Sequence, residues 1–295
     1  QPTKGNLRLG KIPESQIEKI FSTLEQNHPH FSEIIEFLRE QCQLSQLFGD
    51  GVFRFPAFVV DGKPGIGKTY FVQDFSKLTG IPYQRIDCAN TTAGFEFTGS
   101  SMSWRNGKPG RVFDAIVENG LLNQIIVLDE LDKMSISEQY NPINGLYSLL
   151  EPITARNFRD EAINVPANFE YLNWISTCND YFKLPLPIQS RFRHFHIEEP
   201  GKENMIKITQ SVYKNLLLEN SWGVNFSSTL PEGIIQFMVE KGLPPRLSKR
   251  ILQDSCIKAA LRSKGSKQSD LTNIELKISD IAIGALPKEK TIGFL

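Results

Sequence analysis

The eight residues Gly62–Thr69, reading GKPGIGKT, constrain this chain more than any other stretch. They fit the pattern GxxxxGK followed by Ser or Thr, between an apolar run, Ala57 to Val60, and a helix-like segment, Lys68 to Leu78. Apolar Phe71, Val72 and Phe75 recur at helical spacing in that segment, and Gly80 stops it. A buried strand, a glycine turn and a helix N-terminus in that order make a cradle whose backbone N–H groups close around phosphate oxygens. Gly62, Lys63, Pro64, Gly65, Ile66 and Gly67 would wrap the phosphates, Lys68 would reach the β and γ positions, and Thr69 would ligate magnesium. The implied ligand is a nucleoside triphosphate with Mg2+.

With 295 residues, 40% hydrophobic and 22% charged, the chain has material for one large core or one core plus a small satellite. Lys plus Arg and Asp plus Glu each count 33, so no global charge excess draws it to nucleic acid or an anionic membrane, although local patches stay open. No apolar stretch reaches membrane-spanning length, and QPTKGNLRLG at the start does not read as a secretory signal. Cys42, Cys88, Cys178 and Cys256 are scattered without a CxxC pair or zinc spacing, which predicts reduced, buried thiols in a cytoplasmic protein without a membrane partner.

The organisation reads in three parts. Residues 1–50 are an amphipathic helical segment, with Ile17, Ile20, Phe21 and Leu24 on one face and an interruption near His28 to His30. Residues 51–200 alternate strands and helices, which predicts an α/β fold with a parallel five-stranded sheet between helices. The expected strands are Ala57 to Val60, Tyr83 to Cys88, Gln124 to Leu128, Tyr171 to Thr177 and Phe195 to Ile197. Residues 201–295 turn to helices, Glu203 to Glu219, Glu232 to Lys241 and Pro245 to about Arg262, forming a small helical domain. Within it Ser263 to Asp270 reads as a loop, and Asn273 to Leu295 as a short strand and helix.

The run IIVLDE, Ile125 to Glu130, sets two carboxylates at the end of an apolar strand, where a parallel sheet places its ligand crevice. Asp129 would hold magnesium at an ATP site, and Glu130 would act as general base on the attacking water. The polar amide of Asn179, after the strand Tyr171 to Thr177, would orient that water. In LPLPIQSRFRHF, Arg191 and Arg193 follow a proline-bounded segment, and an arginine at a subunit boundary would stabilise transition-state charge in a neighbour's site. A surface pair with Glu198 or Glu199 is the simpler reading of the same arginines.

In this order these residues resemble the AAA+ ATPases over nearly the whole chain, a family of P-loop NTPases whose α/β domain carries a helical lid. The resemblance makes Asn179 sensor 1, Arg191 or else Arg193 the arginine finger, and Arg246, in GLPPR, sensor 2. Within that family the chain is similar to the ATPase module of Lon-type proteases. LYSLLEPITARNFRDEAINVPANFEYLNWISTCN, Leu146 to Asn179, resembles the Lon stretch with a β-hairpin before sensor 1, here about Asn157 to Val165 and turning near Asp160. HPHFSEI, His28 to Ile34, resembles the Lon entry segment near the adenine. WRNGKPGR, Trp104 to Arg111, resembles the Lon pore loop with Trp104 as its aromatic, but Arg105 stands where Lon has an apolar residue.

The resemblance implies a homo-oligomer, a hexamer, that binds and hydrolyses ATP with Mg2+ to thread, unfold or remodel a protein partner. With Leu295 last and no GxSxG motif, the chain is expected to lack Lon's peptidase and to work on a partner encoded by a neighbouring gene. Two other readings stay open. Arg105, Lys108 and Arg111 around Trp104 would suit a nucleic-acid motor, a reading that the neutral net charge disfavours, and slow turnover would suit an ATP-dependent switch that recruits an effector.

Overall fold

The structure, a computed structural model, describes residues 7–49, 51–134, 141–265 and 272–281. It divides into two compact units, Gln1–Pro64 with Lys68–Glu199 and Gly65–Gly67 with Pro200–Leu295. In the first unit, helix α1, Glu14–Asn27, buries Ile17, Ile20, Phe21 and Leu24, the face that the periodicity expects. A 3-10 turn at Pro29–Phe31 intervenes before α2, Ser32–Phe48, because proline has no N–H to continue the helix.

The sheet strands are β1, Phe58–Gly62, β2, Tyr83–Asp87, β3, Ile125–Asp129, β6, Asn173–Cys178, and β7, Arg193–Ile197. All run parallel in the order β2-β3-β6-β1-β7, so an α/β nucleotide-binding fold with a five-stranded parallel sheet is what the chain forms. Between them β4, Phe158–Arg159, and β5, Pro166–Ala167, pair antiparallel as a separate hairpin, where the sequence expects one. The connecting helices are α3, Lys68–Thr79, α4, Phe95–Thr98, α5, Arg111–Asn119, α6, Ile143–Leu150, α7, Pro152–Ala155, and α8, Leu186–Gln189.

Every residue of β1, β3 and β6 is buried; β1 and β3 read as apolar runs ending in an acidic residue or beside one, whereas β6 also buries the polar Asn173, Ser176 and Thr177. Side chains alternate between the two faces of the sheet. Val59, Ile86, Ile126, Leu128 and Trp174 join one core with Phe97, Val112 and Leu146. On the opposite side an aromatic cluster gathers around Phe58, with ring centroids 5.9 Å from Phe37 and 5.7 Å from Phe195, while Phe31 stacks on Phe71 at 4.7 Å. Buried asparagines fasten the entry segment beneath the sheet. Asn123 accepts from Gly10 N at 2.6 Å and donates to Phe53 O at 2.9 Å, while Asn173 donates to Asn123 O at 2.7 Å.

The second unit packs α9, Lys202–Glu219, α10, Glu232–Glu240, and α11, Pro245–Gly265, around Ile208, Tyr213, Ile234, Met238, Leu252 and Cys256. A parallel bridge joins Phe226 to Ile274, and Arg262 grips Asp280 through two hydrogen bonds of 3.0 and 2.8 Å. The loop expected over Ser263 to Asp270 begins later than that, because α11 continues through Gly265; the rest of it, and residues 282–295 of the strand and helix expected over Asn273 to Leu295, lie outside the described residues. All four cysteines are buried and free.

Asp74 of α3 receives Asn27 Nδ2 at 2.9 Å and faces His28 Nε2 at 3.1 Å, which ties the end of α1 to the helix of the glycine loop. Burial pushes its carboxyl up, but the hydrogen bonds from His28 and Asn27 outweigh this and hold it below the usual aspartate range. A depressed carboxyl stabilises the fold above its unfolded value, about 3.9, and loses that contribution as pH falls through the folded value. Asp74→Asn is therefore expected to melt lower than wild type at pH 6, with the difference closing below about pH 4. Thermal melts across that range check it, and a difference that does not change with pH would refute the assignment.

Candidate functional site

β1 lies between β6 and β7, whereas the chain leaves it for β2 at the far edge, so the loop after β1 opens at a switch in strand order. Parallel sheets bind ligands in that crevice, at the carboxyl ends of their strands. Gly65 and Gly67 have φ of +84° and +104°, a region where L side chains are strained. A Cβ on Gly67 would meet nothing within 4 Å, so it is the backbone conformation that demands glycine there. Ile66 is buried, Pro64 is exposed, and the exposed Lys63 pairs with Glu199 at 3.0 Å.

Lys68 and Thr69 open α3 and turn back toward the sheet. The Lys68 ammonium donates to Gly62 O at 2.5 Å, Lys63 O at 3.2 Å and Asn179 Oδ1 at 3.0 Å. Burial pulls this amine below the usual lysine range, against the raising pull of Cys178, Asp61, Asp132 and Asp129. Thr69 Oγ1 donates to Asp129 Oδ1 at 3.1 Å, and Thr177 Oγ1 donates to the same oxygen at 2.5 Å. Lys68, Thr69, Asp129 and Asn179, four residues that the sequence nominates, thus form two adjoining hydrogen-bonded groups at one edge of the sheet.

Glu130 follows Asp129 with φ 54° and ψ 48°, a left-handed conformation uncommon outside glycine. Its backbone N–H is held by Thr177 Oγ1 at 3.0 Å, and the residue is exposed at the strand end. Arg191 lies folded back, donating to Pro187 O at 2.6 Å, 5.2 Å from the Tyr147 ring and 3.8 Å from Glu151. The suggested pairing with Glu198 or Glu199 is not what forms. Arg193 spreads over Phe37 and Phe195 at 4.6 and 5.2 Å. Arg246 is exposed in the first turn of α11, in the second unit. A cation at a helix N-terminus gains nothing from the helix dipole.

The loop between α4 and α5 carries Trp104. Its tip is exposed, Met102 by 66% and Trp104 by 62%, so this tryptophan does not pack into its own unit. Ser100 N bonds Lys108 O at 2.9 Å to close the loop.

Several site residues carry no sequence signal of their own. Arg85, on edge strand β2, donates Nε to Asp129 Oδ2 at 2.7 Å, and only the parallel register brings it there. Thr177 is a polar interruption in an apolar strand, and that interruption was the available clue. Asp61, buried at the end of β1, has His194 Nε2 and His196 Nδ1 each 3.0 Å from its Oδ2. Both carboxylate oxygens of Asp132 are buried without a hydrogen-bond partner, an arrangement that asks for a cation or water. Among the described residues no three His, Cys, Asp or Glu side chains group as a protein-only metal site. The hydroxyl and carboxylate oxygens of Thr69 and Asp129 are instead the hard donors that magnesium takes when phosphates complete its shell.

A glycine loop at the switch point of a five-stranded parallel sheet, with an acidic pair ending β3, defines a P-loop nucleotide-binding fold. Residues 58–199 match the model of the ATPase family associated with various cellular activities, AAA. It is 26% identical over 278 residues to a Lon protease of Erwinia amylovora, covering 90% of this chain and 34% of that protein. To Lon protease 2 of Sorangium cellulosum it is 26% identical over 190 residues, 64% of this chain and 23% of that one. The chain thus spans about a third or less of these relatives. Its fold is similar to that of Hsp104 in the S. cerevisiae Hsp104:casein complex, with a TM-score of 0.68 at 13% identity over 89% of this chain and 50% of that one.

Arg85 and magnesium would compete for Asp129. Arg85→Ala is expected to lower the magnesium concentration for half-maximal ATP binding by about two- to fivefold, the worth of a half-exposed ion pair. A magnesium titration of a fluorescent ATP analogue measures this, and an unchanged midpoint would mean that the pair does not gate the carboxylate.

Proposed function

We propose that the chain binds and hydrolyses ATP with Mg2+ in a homo-oligomeric ring of six copies and uses the energy to remodel or unfold a protein partner. The observation that carries this reading is the exposed, hydrogen-bonded loop of Trp104 on the unit that also carries Lys68, Thr69 and Asp129. A bulky aromatic at such a tip grips an extended polypeptide without reading its sequence. The Hsp104 structure that shares this fold is of a complex with casein, a protein, which is consistent with the reading. Free, buried thiols suit a reducing compartment, and we place its work in the cytoplasm. No helix among the described residues is long and apolar enough to cross a membrane.

Magnesium would supply positive charge against the β and γ phosphates. Lys68, desolvated and held by three neutral oxygens, would exchange them for phosphate, a stronger partner for a buried cation. Thr69 and Asp129 would hold the metal, Asn179 would orient the attacking water and Glu130 would take its proton. Arg246 would be the sensor 2 arginine that the resemblance implies. Arg191, which bonds Pro187 O, pairs with Glu151 and lies near the Tyr147 ring, would be the finger, with Arg193, lying across two rings of its own unit, as the alternative.

Nucleic acid is the weaker ligand for the same loop. Of its three cations, Arg111 is paired with Glu96 at 2.8 Å, which leaves Arg105 and Lys108 exposed at the tip. Two cations make a shallow footprint for a phosphate backbone.

Lys68→Ala is expected to lose ATP binding, whereas Glu130→Gln should bind ATP with magnesium and hydrolyse it at least about a hundredfold more slowly. Nucleotide binding measured beside phosphate release distinguishes the two. Wild-type turnover in Glu130→Gln would refute the assignment of the base.

Trp104 touches neither phosphate nor metal in this scheme. Trp104→Ala should keep basal ATP hydrolysis within about threefold of wild type while ATP-dependent unfolding of a tagged, folded protein is lost, since only a transition-state contact would slow the chemistry. Unfolding at the wild-type rate would sink the gripping role, and loss of salt-sensitive single-strand binding in its place would favour nucleic acid.

A further inference from the structure

The carboxylate of Asp160 sits between the exposed loop and the hairpin β4–β5 and is 1% exposed. A buried carboxylate is costly unless hydrogen-bonded, and here backbone N–H groups satisfy it. Oδ1 accepts from Ala162 N at 2.9 Å and Ile163 N at 3.3 Å, both in the hairpin turn. Oδ2 accepts from Gly110 N at 2.8 Å, where the Trp104 loop ends and α5 begins, fifty residues earlier in the chain.

The loop is shaped to admit it. Gly99, at the other end of the loop, has φ +81°, and a Cβ there would lie 2.3 Å from Asp160 Oδ1. A Cβ on Gly110 would lie 2.2 Å from Phe97 O. Glycine at both roots lets the two strands of the loop close on one carboxylate, and Glu161 N adds a bond to Thr98 O at 2.9 Å. Beyond the clamp the hairpin is anchored in the core, with Phe158 stacked on Phe169 at 5.0 Å, just before β6 and Asn179.

We propose that Asp160 is a positioning residue that makes the Trp104 loop and the hairpin β4–β5 move as one body, so that Trp104 is held out from a rigid base. This rests on the reading that Trp104 grips protein. A loop hinged only at two glycines would yield under load, because glycine is the residue least able to resist rotation about its backbone. Fixing one root to a buried charge through Gly110 N, and the other to the hairpin through Glu161 N and Thr98 O, removes that freedom.

The test is amide hydrogen exchange, read by mass spectrometry on the full chain with ATP analogue bound, in Asp160→Asn and, separately, in Gly99→Ala. Asp160→Asn leaves one acceptor oxygen of the two, so exchange in the peptides covering 99–110 and 158–168 should both quicken by about tenfold. Gly99→Ala leaves Asp160 intact and pushes on it from the loop side, and should quicken the hairpin peptide as well. Nucleotide binding and basal ATP hydrolysis should stay within about twofold of wild type, while protein unfolding falls by about fivefold or more. If each variant loosens only its own segment, the clamp is overturned. A loosened loop with full unfolding activity, where Trp104→Ala unfolds poorly, overturns the positioning role. If Trp104→Ala also unfolds normally, it is the gripping reading that fails, and the exchange data still decide the clamp.

Discussion

The Asp129 carboxylate is the cross-tie on which this architecture depends. It is 4% exposed and is held by Thr69 from α3, Thr177 from β6 and Arg85 from β2. A buried charge left unpaired would cost several kcal/mol, and these partners satisfy it before any ligand arrives. They also fasten a helix and three strands together at the carboxyl edge of the sheet. Cohesion of that edge and the proposed hold on magnesium therefore pass through one group. A ligand entering here rearranges existing bonds and does not fill a blank surface.

The parts of this picture legible in the sequence are those written in local pattern. Apolar runs marked the buried strands to within two residues or so at their starts and ends, because a strand covered on both faces is mostly apolar, even though β6 also buries Asn173, Ser176 and Thr177. Pro29 marked the break between α1 and α2, and the glycines of the loop marked a backbone that no other residue adopts without strain. Arg85 was not legible, since its partner is assigned by register between strands 44 positions apart in sequence. The burial of Asp160 was equally silent. The sequence placed it at a turn, where an aspartate usually faces solvent, and only the return of Gly110 from an earlier loop covers it. Neutral overall charge concealed the pairing of individual cations, so that Arg111 counts as a patch residue in composition but is matched to Glu96 in space.

The left-handed backbone of Glu130 has a consequence for how this chain tolerates change. Asparagine, aspartate and glycine enter that region more readily than glutamate, so the backbone at this position favours residues other than the one present. Aspartate would keep a carboxylate on a shorter reach, and asparagine or glycine would relax the fold while removing the charge altogether. With Glu130 as the proposed base, holding glutamate here would set selection for turnover against selection for stability at a single position. In a lineage where the proposed base ceased to matter, this residue would be among the first to drift, and its identity in a descendant would read out whether a carboxylate is still required here.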